Sequence, residues 1–157
     1  ADALEQGGAT EITVHGRTKA DGYRADRINW KKIGEVRERL SIPVIANGEI
    51  WHWQYGQDCL SQTGCRDLMV GRGALNIPNL SHVLKSNAEK MPWCEIQKIL
   101  QKYANVENEY DSGFYHVARI KQWLRYLNKE YDEANQEFDK IKTCQTAEDL
   151  KLRLNDK

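Results

Sequence analysis

Over the first 90 residues, short apolar runs alternate with amphipathic stretches, and each apolar run closes on a polar cluster that contains glycine. Thr10-Glu11-Ile12-Thr13-Val14 leads into His15-Gly16-Arg17-Thr18, Ile42-Pro43-Val44-Ile45-Ala46 into Asn47-Gly48-Glu49, and Asp67-Leu68-Met69-Val70 into Gly71-Arg72-Gly73. Runs of this length bounded by turn residues predict strands. Between them Trp30, Ile33, Val36 and Leu40 recur at helical spacing, as do Trp53, Cys59 and Leu60 ahead of Gly64. Strands alternating with helices predict βαβ units and a parallel sheet. The opening ADALEQGGA predicts the last two turns of a helix closing at Gly7-Gly8. Pro78 predicts the first turn of a short helix running to about Asn87.

The character changes around Met91-Pro92. From Trp93 onward there is no proline and one glycine, Gly113, and the apolar spacing becomes helical: Ile96, Ile99, Leu100 and Tyr103, then Val117, Ile120, Trp123, Leu124, Leu127 and Tyr131. Residues 91–157 are therefore expected to form an all-helical domain of three or four helices, with a turn at Asp111-Ser112-Gly113, appended to an α/β part at 1–90. Three β/α units close no barrel, because both edge strands stay bare, and an open doubly wound sheet of three strands would be unusually small. Either way the chain is expected to be the C-terminal portion of something longer, and its start at the end of a helix points the same way.

Composition narrows the classes. Lys plus Arg number 23 against 23 Asp plus Glu, so no global basic charge argues for nucleic acid, although a local basic face is still open. A mean hydropathy of −0.75 with no long apolar run excludes a transmembrane helix, and no signal-peptide pattern opens the chain, which makes a cytoplasmic location the expectation. Cys59, Cys65, Cys94 and Cys144 form no C-x-x-C pair and have no histidine at ligand spacing. They are expected to be buried or inert thiols, with no metal site.

In parallel α/β proteins ligands lie at the C-terminal ends of the strands, where all three glycine clusters fall. Gly48 and Gly71 to Gly73 leave backbone N–H groups open to an anion, following helix N-termini add favourable dipoles, and Arg72 adds a full charge, so a phosphate site is expected. Turn-making alone is the other reading of these glycines. His15 and Arg17, on alternate positions, point the same way toward the strand mouth, suited to an electron-rich or carbonyl-bearing ligand, or else to a capping bond and a surface ion pair. Farther on, a helix from Tyr115 to about Tyr131 places Ile120, Trp123, Leu124 and Leu127 on one side and Arg119, Lys121, Gln122, Arg125, Tyr126 and Lys129 on the other. Val117 to Lys129 carries four basic residues and no acidic one, with Tyr126 as a stacking group, and is either a solvated face or a nucleic-acid face. Glu130, Asp132, Glu133, Glu137 and Asp139 then restore neutrality, before Lys140 and Lys142.

HGRTKADGYR, IPVIANGEI, DLMVGRGALNIPNL and YHVARIKQWLRYLNKEYDEA together resemble the C-terminal half of bacterial tRNA-dihydrouridine synthases, the last block most like the C subfamily. The resemblance implies a fold of the last three β/α units of a TIM barrel followed by a C-terminal helical bundle. It also implies bound FMN, NADPH as reductant, and reduction of the uridine C5–C6 double bond in tRNA, by hydride delivery to C6 and protonation of C5 by a cysteine. The subfamily is associated with uridine-16 of the D-loop. Carried over, Asn47, Gly48, Glu49, Gly71 and Arg72 would hold the FMN phosphate and ribityl region, with His15 and Arg17 near the flavin and uracil. Tyr23, Arg119, Lys121, Arg125, Tyr126 and Lys142 would face tRNA.

The family's Asn-Cys-Gly-Cys-Pro type motif does not occur in this sequence, and none of its four cysteines stands in that context. The chain by itself is thus expected to show no synthase activity and weak or absent FMN binding; stoichiometric flavin retained through purification would contradict this. Association through an exposed barrel edge is a further expectation. Two other readings are a tRNA-binding helical module on a non-catalytic α/β platform, and another phosphate-binding TIM-barrel enzyme, which would share the glycine clusters but not the basic helix.

Overall fold

The computed structural model describes residues 1–22, 24–106 and 114–155. The apolar runs form three short strands, β1 (Ile12–His15), β2 (Val44–Asn47) and β3 (Asp67–Met69), parallel and in the order β1-β2-β3. Thr13 lies opposite Ile45 and Ile45 opposite Asp67; His15 lies opposite Asn47 and Asn47 opposite Met69. Because side chains alternate across a strand, this register sorts the sheet into two unlike faces. Ile12, Val14, Val44, Ala46 and Leu68 share one, and Leu68 lies close to Gly56 in the helix that covers it. Thr13, His15, Asp67 and Met69 are exposed on the other. Parallel sheets are ordinarily covered on both faces.

Helices α2 (Trp30–Arg39) and α3 (Trp53–Thr63) connect the strands. Asn29 caps α2 by accepting the Lys32 N–H at 3.1 Å, and the Trp30 indole donates to the Gly48 carbonyl at 3.0 Å, fixing the start of α2 to the turn after β2. Ile33 is fully buried. A methyl group on Gly34 would stand 3.3 Å from the Gln62 and Thr63 carbonyls, so the two helices approach with no room for a side chain there. Gly64, at φ +64°, ends α3 in the left-handed conformation. The leading helix α1 (Asp2–Gln6) is held by Glu5, whose carboxylate accepts from Ser41 N, Ser41 Oγ and Ile42 N at 2.8, 2.5 and 3.1 Å. The Ser41 hydroxyl chiefly holds this carboxyl below its ordinary range.

Past β3 the path departs from the expected single helix opened by Pro78. A one-turn α4 (Gly73–Asn76) is followed by a turn containing Pro78 and then α5 (Leu80–Ser86). Tertiary bonds hold this path: the Trp123 indole donates to the Leu75 carbonyl at 3.1 Å, and the Asn79 side-chain oxygen accepts from Met91 N at 2.8 Å.

The chain divides into two compact units, Ala1–Ala74 with Leu80–Glu89, and Leu75–Asn79 with Lys90–Lys157. The second contains four helices among its described residues from Lys90 onward: α6 (Trp93–Ala104), α7 (Phe114–Leu127), α8 (Glu133–Ile141) and α9 (Ala147–Asn155). They enclose a core in which Ile96, Leu100, Ile120, Leu124, Leu127 and Leu150 are almost fully buried. The turn expected at 111–113 lies outside the described residues. Helix α7 ends four residues earlier than its apolar spacing suggests. At Lys129 and Glu130 the backbone tightens to bonds three residues back, onto Tyr126 and Leu127, which carries Tyr131 into the core and takes Lys129 off the helix. Among the described residues no helix is long and apolar enough to cross a membrane.

Candidate functional site

The three strands end level, and their last residues are joined side by side. His15 Nδ1 lies 2.5 Å from Asn47 Oδ1, and Asn47 Nδ2 donates to the Met69 carbonyl at 2.7 Å, so one line of hydrogen bonds crosses the C-terminal edge of the sheet. Arg17, two residues past His15, returns to it: Nε donates toward His15 Nε2 at 3.4 Å, one terminal nitrogen donates to the Arg24 carbonyl at 2.9 Å, and the other meets Glu49 Oε1 at 2.8 Å. The two side chains of this ion pair are 2% and 6% exposed, so the surface ion pair allowed by the sequence is in fact buried.

Glu49 reaches that position because the chain turns with two successive positive φ values, +122° at Gly48 and +54° at Glu49. Glycine adopts this freely, whereas glutamate in the left-handed region is strained by about 1 kcal/mol, of the kind that clusters at functional sites. The turn also brings Gly48 under the imidazole, where an added methyl would meet His15 Cε1 at 3.1 Å. The second oxygen of Glu49 accepts the Trp51 indole N–H at 2.8 Å. Arg72 lies 3.7 Å from Glu49 Oε1 and 5.5 Å from the centre of the Trp51 ring, with its side chain 42% exposed.

These groups line a cleft of about 180 Å³. Two guanidinium groups against one carboxylate leave it net positive, with the exposed cation at its mouth. Gly71 has open space where a side chain would stand, and Gly73 has its side-chain position filled by the Ile50 carbonyl, so only glycine brings this backbone so near. The donor set and charge fit a phosphate. The helix following β3, a single turn, contributes little of the expected dipole; the arginines supply the charge instead. A volume below the roughly 300–1,000 Å³ of whole-ligand pockets fits the phosphate end of a larger molecule. Sequence reading brought His15, Arg17, Asn47, Gly48, Glu49, Gly71 and Arg72 to one place, as the structure does. It missed Trp51, whose only sequence signal is its position two residues past Glu49 within the same turn.

In the helical unit Arg119 and Arg125 are exposed on α7. Arg119 lies 4.6 Å from the centre of the Tyr115 ring, Arg125 5.5 Å from that of Phe138, and Lys129 5.4 Å from that of Tyr126. Lys121 is placed differently: its ammonium donates to the Lys142 and Cys144 carbonyls at 2.9 and 2.7 Å, satisfying backbone acceptors released past the end of α8. Lys142 pairs with Asp139 at 3.1 Å. Tyr23 lies outside the described residues. Cys59, Cys65 and Cys144 are buried, whereas Cys94 is exposed, because its position on α6 faces away from the Ile96–Leu100 stripe. Among the described residues no group of His, Cys, Asp and Glu is placed to hold a metal ion.

The family model described as dihydrouridine synthase matches residues 1–155. The chain is similar to the tRNA-dihydrouridine(16) synthase of Haemophilus influenzae, 95% identical over 157 residues, covering 100% of this chain and 51% of that protein. It is 66% identical over 155 residues to the protein of the same name from Pasteurella multocida, covering 99% and 50%, and 58% identical over 150 residues to that of Escherichia coli K12, covering 96% and 48%. The chain thus spans about half the length of the curated relatives it matches. With a family match over all but its last two residues, the chain belongs to the dihydrouridine synthase family.

Proposed function

We propose that this chain is the C-terminal portion of an FMN- and NADPH-dependent oxidoreductase that reduces uridine to 5,6-dihydrouridine in tRNA, at position 16 of the D-loop. In this reading its three β/α units are the last of a TIM barrel. The observation that carries the proposal is the net-positive, glycine-bordered cluster of Arg17, Glu49 and Arg72 at the shared C-terminal edge of three parallel strands. That is where barrels of this type take phosphate.

FMN, when bound, supplies hydride transfer to an electron-poor double bond. The chain's own residues then do the holding. Arg72 and the backbone of Gly48, Gly71 and Gly73 would bind the phosphate, with Glu49 and Trp51 setting the position of Arg72. Asn47 would help hold the ribityl region, and His15 and Arg17 would lie near the flavin ring and the uracil. The exposed, one-sided bare face of the sheet supports a location inside a larger barrel. In the helical unit Arg119, Arg125 and Tyr126 would contact tRNA phosphates and bases, with Lys142 at the edge. The family match favours this function over a different phosphate-binding barrel enzyme.

The small cleft favours one part of the second reading, a tRNA-holding unit whose α/β platform performs no chemistry by itself. Titration of labelled tRNA against the chain at several salt concentrations, with a parallel assay for dihydrouridine in the presence of FMN and NADPH, tests both. Salt-dependent tRNA binding with no product is expected from the isolated chain. Binding indifferent to salt would remove the proposed phosphate contacts.

A further inference from the structure

The hydrogen bonds at the strand ends decide which nitrogen of His15 carries a proton. The Met69 carbonyl can only accept, so the Asn47 amide must turn its NH2 toward it, at 2.7 Å, and its oxygen toward His15. An oxygen 2.5 Å from Nδ1 requires a proton on Nδ1. At the other side of the ring Arg17 Nε, which can only donate, lies 3.4 Å from Nε2. A proton on Nε2 would set two donors face to face. Both neighbours therefore ask for the same form, and neither can reverse its role. Arg17 is itself fixed by Glu49 and the Arg24 carbonyl, and the imidazole lies against Gly48.

We propose that Asn47 is a positioning residue that locks His15 as the Nδ1–H tautomer, leaving Nε2 as an acceptor beside the Arg17 guanidinium. Free histidine in water favours the opposite tautomer, so the site reverses an intrinsic preference. In consequence His15 has no proton to give to a molecule in the cleft: its one N–H is committed to Asn47. Donation to such a molecule falls to other groups of the site, and His15 acts as an acceptor. The inference concerns hydrogen bonding within the chain and does not depend on which ligand the cleft takes.

Long-range proton–nitrogen correlation spectra of the ¹⁵N-histidine-labelled chain read the tautomer directly. In the wild type, Nδ1 of His15 is expected to show the protonated, pyrrole-type shift and Nε2 the unprotonated, pyridine-type shift, with the Nδ1–H form in excess by about tenfold. A slowly exchanging Hδ1 resonance should accompany it. Asn47→Leu, which keeps the volume and removes the acceptor, should return His15 to the Nε2–H form preferred in water. A wild-type His15 protonated on Nε2, or lacking a protected Hδ1, overturns the proposal even if the variant fails to fold. An Asn47→Leu chain that folds and keeps the Nδ1–H form overturns it as well, by showing that Asn47 is not the cause.

Discussion

Arg17 and Glu49 meet at 2.8 Å with almost no solvent around either side chain, although they stand in different turns 32 positions apart. A buried pair of this kind is worth little against an apolar replacement of the whole, but it is costly to break from one side, since the surviving charge is left without compensation. Glu49→Gln and Arg17→Met should each lower unfolding stability by about 3–5 kcal/mol in urea titrations. Arg72→Ala, which removes a half-exposed cation, should lower it by less than about 1 kcal/mol. Equal effects at Arg17 and Arg72 would show that the buried pair is not what holds the strand ends together.

Lys121 and Arg125 stand one helical turn apart on α7 and should behave differently. Lys121→Met removes a donor from two backbone carbonyls and should cost about 1–2 kcal/mol of stability, measured by thermal or urea unfolding. Reversing Arg119 and Arg125 to glutamate should leave the fold intact while weakening tRNA binding and flattening its logarithmic salt slope by about two. An unchanged slope would remove this face from the proposed tRNA contact.

Burial pushes the Cys59 thiol up to about 12, and it raises Cys144 as well, whereas Cys94 is exposed. The thiolate is the reactive form. With a thiol reagent in mildly alkaline buffer, the folded chain should release one fast equivalent, abolished by Cys94→Ser, and further equivalents only on unfolding. A fast equivalent surviving in Cys94→Ser would contradict the packing around the other three.

Tyr131, enclosed by Trp93 and α7, has its phenol raised to about 12, first by burial and then by Glu130 and Glu133. Its folded value lies above its ordinary value of 10.0, so the stabilisation is complete below about pH 10 and is lost as pH rises toward 12. Ultraviolet titration of the phenolates should show Tyr131→Phe deleting the late-titrating component, and the variant should lose less stability across this window than the wild type. Deletion of an early component instead would place Tyr131 outside the core.

Much of this was legible because local pattern and tertiary need agree. Ile12 to His15, Val44 to Asn47 and Asp67 to Met69 read as strands, and the Ile96–Leu100 and Ile120–Leu127 stripes read as helices, since the residues that set local structure are also those that become buried. Where distant bonds take over, the pattern loses its hold. Pro78 is suited to open a helix, but Trp123 and Met91 claim its neighbours Leu75 and Asn79. Lys121 reads as one more basic residue on a polar face, yet carbonyls more than 20 positions away claim its ammonium. The glycine clusters and Arg72 were visible from spacing; the joining of Arg17, Glu49 and Trp51 depends on a turn with two positive φ values, for which the sequence shows only Gly48.

In the proposed function the strand-end cluster takes the phosphate end of a flavin mononucleotide. Phosphorus NMR of FMN titrated with the chain, recorded beside the visible spectrum of the same samples, tests it most directly. A weak, saturable shift of the phosphate resonance that Arg72→Ala removes, with little change in the ring absorbance, is expected. A phosphate resonance that never moves, or a ring spectrum that changes while the phosphate does not, would contradict it.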